Sequence, residues 1–355
     1  MLLHDLKESI HQLLKDQGYL TNSAMERLAP EDPQLLREAI EELVLTGAAT
    51  MHDGAGLTCN ALQHPDHECA AVGGKQVLLS KPYKPTCTGR LVGRKEETLE
   101  LLASWMTDGE RIPRCPLIIG EAGLGKNRLV YEASLVTGKP LYLITSNDGI
   151  TPEDLACFVR PRDRNSSEFD YLLSPLATAM IKGGIYFIDE IGKICHKALA
   201  VLASVLDERR YLESNLLGER IEAHPGFRFV AATNNSDLVN QALPEFMVSR
   251  LKPVIRFKYP PREELLSMVQ ERPMKNRPDS VPLFDRFIQL AETKGMKVSP
   301  RDALQTFGMA INLADYEVAA SQPVFSLEAP APGNVHFRHI EQAFELTRNG
   351  AIDGQ

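Results

Sequence analysis

Gly120, Glu121, Ala122, Gly123, Leu124, Gly125, Lys126 and Asn127 are consecutive. Glycines at 120, 123 and 125 ahead of a lysine suit one task, the wrapping of a phosphate group. Glycine takes positive φ without steric cost, so backbone N–H groups can turn inward toward phosphate oxygens. A helix beginning near Gly125 and running into Arg128-Leu129-Val130 adds the positive end of its dipole. Lys126 then reaches the outer phosphates of a nucleotide. The pattern asks next for Ser or Thr, whose hydroxyl binds magnesium; here stands Asn127. A carboxamide oxygen can bind magnesium, but it lies farther from Cα and brings an NH2 group with it. The expectation is ATP and magnesium at a site whose metal placement and turnover suffer.

Five further residues bear on the same chemistry. Gly183-Gly184-Ile185-Tyr186-Phe187-Ile188 ends in two carboxylates, Asp189 and Glu190. With magnesium present, Asp189 would hold it and Glu190 would polarise the attacking water. Phe229-Val230-Ala231-Ala232-Thr233 is a second apolar run leaving a polar residue, Asn234, which can orient that water. Arg250 closes the segment Leu243–Arg250 on an expected exposed edge. Arg301 follows Ser299-Pro300 in the first turn of a helix, where the dipole disfavours a cation unless it faces an anion.

These residues need a scaffold that brings them to one edge. From Arg90 to about 258, strand-like runs near 115–119, 140–145, 184–189, 227–232 and 253–258 alternate with helical ones. This is the pattern of a parallel sheet flanked by helices. From Pro260 the chain turns helical, with candidates at 262–271, 282–294, 301–314 and 336–348, interrupted by the Pro-rich stretch Ala329–Gly333. The expected organisation is a module at 1–60, a linker at 61–89 that is irregular and includes Lys81-Pro82-Tyr83-Lys84-Pro85, an α/β nucleotide-binding domain at 90–259, and a helical lid at 260–355.

The chain resembles the AAA+ ATPases, and within them the MoxR-like and dynein-related (midasin-like) group. The matching stretches are Leu91-Val92-Gly93-Arg94, the glycine loop, Ile144-Thr145-Ser146-Asn147-Asp148, Gly183–Glu190, Leu206–Arg210, Phe229–Asn234, Arg250 and Ser299-Pro300-Arg301. The resemblance implies a P-loop NTPase fold with an AAA+ core. It makes Lys126 the Walker A lysine, Asp189 and Glu190 the Walker B pair, Asn234 sensor 1 and Arg301 the sensor 2 arginine of the lid. Arg250 is similar to the arginine finger that acts on a neighbouring subunit, which requires an oligomer; the family forms hexameric rings. It further implies chaperone-like remodelling of a client protein, with a partner carrying a von Willebrand factor A domain. An ATP-dependent assembly switch that does not hydrolyse, or a nucleic-acid-associated NTPase, are the competing readings.

Composition narrows the classes. The 355 residues are 43% hydrophobic and 24% charged, with a formal net charge of −8, which argues against a nucleic-acid-coating protein. No apolar run reaches the ~20 residues of a membrane span, and Met1–Glu8 is amphipathic and acidic, unlike a secretion signal; a cytoplasmic protein is expected. Residues 1–60 read as three helices, the second capped at Asn22 and Ser23, followed by a wing turning at Asp53-Gly54, a pattern that resembles a winged helix. Four basic and ten acidic residues there would repel phosphates, so a protein contact is expected rather than DNA. Six scattered cysteines suggest reduced thiols. Cys59, His64, His67, Cys69 and Cys87 match no zinc spacing and read as a polar loop. Tyr211–Ile221 reads as a hairpin, and Arg160–Ser167, with three arginines, as a solvated loop.

Overall fold

A computed structural model of the protein describes residues 6–10, 12–13, 19–20, 25, 27–28, 33–45, 49–52, 56–59, 68–85, 91–107, 113–161, 169–235, 243–320 and 332–348. The expected caps Asn22 and Ser23, the turn Asp53-Gly54, His64, His67 and Cys87, Arg162 to Ser167 and the Pro-rich residues 329–331 lie outside these. A five-stranded sheet has the order Val254–Arg256, Leu117–Ile119, Arg228–Thr233, Ile185–Asp189, Leu141–Thr145. Leu117–Ile119 pairs in parallel with both its neighbours: Ile118 lies opposite Ala232 on one side and Ile255 on the other. Every side chain of Leu117–Ile119 is buried, and four of the five in Ile185–Asp189 are. Runs with no polar face suit a parallel sheet covered by helices on both sides.

Helix ends are set by local chemistry. Gly125, at φ 93°, precedes the helix Lys126–Thr137, and Gly138, at φ 65°, ends it. Pro175 opens Pro175–Lys182 behind Ser174, whose Oγ accepts from the Ala177 N–H at 3.0 Å, and Gly183 stops it with φ 67°. Ser174 and Gly183, whose N–H donates to the Ala179 carbonyl, each satisfy a backbone group that would otherwise be orphaned at the helix end.

The chain divides into two compact units, each drawn from three segments. The first comprises Met1–Tyr83, Pro140–Tyr186 and Ile194–Arg228. It contains a three-stranded sheet in the order Tyr19–Leu20, Gly56–Cys59, Ala49–His52, and the helix Pro33–Leu45. Here the structure corrects the reading of 61–89 as irregular. Cys69–Val72 and Lys75–Leu78 form an antiparallel hairpin, and Leu78 pairs in parallel with Leu172 of Phe169–Leu173. That strand in turn pairs with Cys157–Pro161, so the expected solvated loop begins as sheet, with Arg160 opposite Asp170. The expected hairpin is present: Tyr211–Ser214 pairs with Glu219–Glu222.

The second unit comprises Lys84–Lys139, Phe187–Lys193 and Phe229–Gln355. Its C-terminal part is helical: Arg262–Glu271, Ser280–Thr293, Pro300–Ala320 and Phe337–Thr347. These helices close over Phe284, Phe287, Phe307 and Phe344, whose rings meet at centroid distances of 5.7–6.2 Å. Burying aromatics of this size supplies much of the hydrophobic stabilisation of a small helical cluster. Among the described residues no helix is long and apolar enough to cross a membrane. Cys69, Cys115, Cys157 and Cys195 are not disulfide-bonded.

Candidate functional site

The glycine loop bridges the Leu117–Ile119 strand and the helix Lys126–Thr137, both in the second unit. It is held closely on two sides. A Cβ on Gly120 would meet the Cβ of Phe257 at 2.7 Å; one on Gly123 would meet Ser299 Oγ at 2.6 Å and Arg301 Cβ at 2.9 Å. Glycine is therefore required at 120 by space and at 123 by both space and its φ of 81°. The Gly123 carbonyl accepts from the Arg301 N–H at 3.3 Å. Loop and lid thus touch backbone to backbone.

Lys126 is buried. Its Nζ donates to the carbonyls of Gly120 at 2.7 Å and Glu121 at 3.0 Å, and to Asn234 Oδ1 at 2.6 Å. Burial pushes the ammonium's pKa down; the Asp189 carboxylate opposes this and Arg301 adds to it. An ammonium destabilised in this way gains from an incoming polyanion.

Asn234 fixes its own orientation. Its oxygen faces Lys126, so its Nδ2 is turned to Glu190 Oε1, at 3.4 Å. Glu190 Oε2 also pairs with Lys193 at 2.8 Å. Glu190 stands at φ 57°, a left-handed conformation that non-glycine residues occupy mainly where a site demands it. One carboxamide therefore links the lysine that would meet the phosphates to the carboxylate that would accept a proton from water.

A cavity of about 430 Å³, within the usual range for a small-molecule site, joins Ala122 through Arg128 with Asp189, Glu190, Asn234, Pro300 and Arg301. Of the residues expected from sequence, Gly120, Glu121 and Arg250 stand outside this lining. Gly120 and Glu121 support Lys126 through their carbonyls, and Glu121 Oε1 accepts from Asn235 Nδ2 at 2.9 Å. Arg250 ends the helix Glu245–Arg250, and its Nη1 donates to the Phe246 carbonyl at 2.8 Å.

Of the opposite wall, sequence reasoning touched only Leu91 and Val92, as parts of a motif. Leu91, Val92, Tyr131, Met268 and Leu304 give it an apolar surface able to take a flat ring, and Arg272 adds a further cation. Met268 and Leu304 belong to amphipathic lid helices, and nothing in the spacing distinguishes a pocket-facing position from a core one. Arg94 was visible only as part of a motif. It is buried at φ 58°; one Nη donates to Glu97 and the other to the carbonyls of Leu124 and Lys258, and its plane lies over Phe257. It ties the glycine loop to the chain after the last strand of the sheet.

The expected magnesium can be tested against the donor set. Magnesium asks for oxygen ligands at about 2.0–2.1 Å in near-octahedral array. Asn127 presents nitrogen: its Nδ2 donates to Asp189 Oδ2 at 2.6 Å. An ionised carboxylate only accepts, so turning the Asn127 oxygen toward Asp189 would set two acceptors against each other. The residues present do not fit the metal, and the expectation that Asn127 offers it an oxygen gives way to an amide directed at the carboxylate meant to share it.

With this geometry in view, four similarities bear on the site. Residues 116–251 match the AAA domain, dynein-related subfamily. An uncharacterized protein of Staphylococcus haemolyticus is 28% identical over 158 residues, 44% of this chain and 60% of that protein. One of Staphylococcus saprophyticus is 33% identical over 120 residues, 33% and 46% respectively. The chain thus spans less than two thirds of the length of the curated relatives it matches. A point mutant of Thermotoga maritima RuvB superposes with a TM-score of 0.50 at 15% identity, covering 72% of this chain and 71% of that one. At that identity the likeness is one of fold.

Proposed function

We propose that the protein is an AAA-type ATPase of slow turnover, which assembles into a ring on binding ATP and remodels or matures a partner protein. The carrying observation is the chain of contacts from Lys126 through Asn234 to Glu190, in one cavity with the glycine loop and Arg301. Lys126 and the inward N–H groups of the loop bind the phosphates. Arg301 meets the terminal phosphate from the lid. Glu190, oriented by Asn234, accepts the proton of the attacking water as that water's oxygen bonds to the terminal phosphorus and the bond to the bridging oxygen breaks, releasing ADP. Positioning and cationic stabilisation supply the acceleration; with no divalent ion drawing the phosphate charge, the step is slow. The apolar wall of Leu91, Val92, Tyr131, Met268 and Leu304 takes a purine without distinguishing adenine from guanine.

Arg250, outside the cavity of its own chain, acts on the nucleotide of the neighbouring copy. The match to a dynein-related AAA domain supports a homo-oligomeric ring, hexameric as that family's are, and a client or partner protein, a von Willebrand factor A domain protein among the candidates. The acidic residues 1–60, proposed as a winged-helix-like module, favour protein over nucleic acid. The discriminating observation for the alternative reading, an assembly switch that holds ATP, is the Asn127–Asp189 bond, which removes the usual metal contact. Steady-state ATP hydrolysis over a range of protein concentrations separates the two. A specific rate that rises with concentration, falls at least about tenfold in Glu190→Gln and falls similarly in Arg250→Ala supports the ATPase. Tight ATP binding with no turnover at any concentration refutes hydrolysis and leaves the switch.

A further inference from the structure

The Asn127–Asp189 contact has a partner in the electrostatics of the cavity wall. Around the site stand the cations Lys126, Arg128, Arg272 and Arg301, with Arg94 already paired to Glu97, against the two carboxylates of Asp189 and Glu190. In a nucleotide site that uses magnesium, the ion neutralises two charges of the triphosphate and is itself held through the hydroxyl after the lysine and the carboxylate of the second strand. Here the hydroxyl is absent, the carboxylate is engaged by an amide N–H at 2.6 Å, and, with Arg94 set against Glu97, cations exceed anions by two among the lining residues.

We propose that this site takes its nucleoside triphosphate as the metal-free tetra-anion, with Asn127 satisfying Asp189 and the arginines supplying the charge a divalent ion would otherwise bring. The inference rests on the reading of the cavity as a triphosphate site and adds the ionic form of the ligand. Asn127 is the specificity-determining residue. Its amide engages Asp189 Oδ2, so a metal bound through that oxygen must break a charge-assisted hydrogen bond and turn an NH2 group elsewhere. Guanidinium groups suit the substitute role, because they stay charged and meet phosphate oxygens through a planar fork of donors. Lys126 gains from the same arrangement: burial lowers its pKa, and the full charge of an unchelated triphosphate restores the ammonium more than the chelated form does.

The test is calorimetric titration of the full-length protein with ATP, once with magnesium and once with excess EDTA. The native protein is expected to bind ATP with affinities within about threefold of each other in the two buffers. Asn127→Ser restores the hydroxyl and frees Asp189, and should make binding at least about tenfold tighter with magnesium, about 1.4 kcal/mol. Asn127→Asp is the second variant: two adjacent carboxylates should make ATP binding require the metal outright. Native affinity that drops tenfold or more in EDTA overturns the proposal. So does an absence of magnesium dependence in both variants, since Asn127 would then not be the determinant. Native protein that binds ATP in neither buffer refutes the triphosphate reading itself, and the proposal falls with it.

Discussion

The approach of the glycine loop to the lid can be tested by adding a single methyl group at each of two glycines. Gly123 and Gly125 both lie at positive φ, 81° and 93°, so alanine at either pays a backbone penalty of about 1–2 kcal/mol. They differ in space. Nothing lies within 4 Å of a Cβ at 125, whereas one at 123 meets Ser299 Oγ at 2.6 Å and Arg301 Cβ at 2.9 Å. Ser299 cannot swing clear without loss. Its Oγ accepts from the Asp302 N–H at 3.3 Å while its own N–H donates to Asp302 Oδ2 at 2.9 Å, a reciprocal cap worth about 1 kcal/mol. Overpacking of this kind costs about 1–3 kcal/mol beyond the backbone term. Gly125→Ala should therefore destabilise by about 1–2 kcal/mol and Gly123→Ala by about 2–5 kcal/mol. At about 2–4 °C per kcal/mol for a domain of this class, thermal unfolding separates them clearly. Gly123→Ala should also weaken ATP binding more than Gly125→Ala, because the lid must retreat and take Arg301 with it. Equal Tm shifts for the two variants would refute the reasoning, since a loop that yields to a methyl at 123 is not in firm contact with the lid.

Two further perturbations probe parts remote from the loop. Arg277 donates to both oxygens of Asp315, at 3.0 and 2.9 Å, and to the Gly333 carbonyl at 2.6 Å, with both charged side chains 17% exposed. Arg277→Ala should cost about 1–3 kcal/mol, since Asp315 loses its cation in a half-buried setting, and high salt should recover little of the difference in a denaturant titration. Burial pushes the Cys157 thiol up from 9.0 to about 11. The folded state therefore holds that proton where the unfolded chain gives it up, and this contribution, complete below pH 9, is lost as pH rises from about 9 to about 11. Cys157→Ala should show a flatter decline of stability across that window, measured by chemical denaturation at each pH.

The elements that position the site were legible because they carry strong local signals. Continuous apolar runs such as Ile185–Ile188 mark strands buried on both faces, and glycines at 120, 123 and 125 mark a loop that side chains would obstruct. The lid helices were readable from their periodicity to within a few residues at 262–271, 280–293 and 337–347. The sheet containing Cys69–Val72 and Lys75–Leu78 was not. Its strands are four or five residues each, with little alternation, and Lys75–Leu78 joins Phe169–Leu173 through the single pair Leu78–Leu172, a contact that no local pattern encodes. The orientation of Asn127 was equally out of reach. Sequence gives the carboxamide, but which end faces inward is decided by Asp189, 62 positions away. Arg94 shows the same limit: its neighbours in sequence do not reveal that it is buried against Phe257.

The interleaved make-up of the two units also bears on synthesis. The first unit needs residues as far as Arg228, and the second draws on chain from Lys84 onward through Phe229–Gln355. At about 5–20 residues per second, roughly 7 to 30 s pass between the emergence of Tyr83 and that of Arg228. During that interval the apolar residues of the first segment, Val77, Leu78 and Leu79 among them, wait for strands not yet made. A nascent chain stalled in that window is the form that a ribosome-associated chaperone would meet.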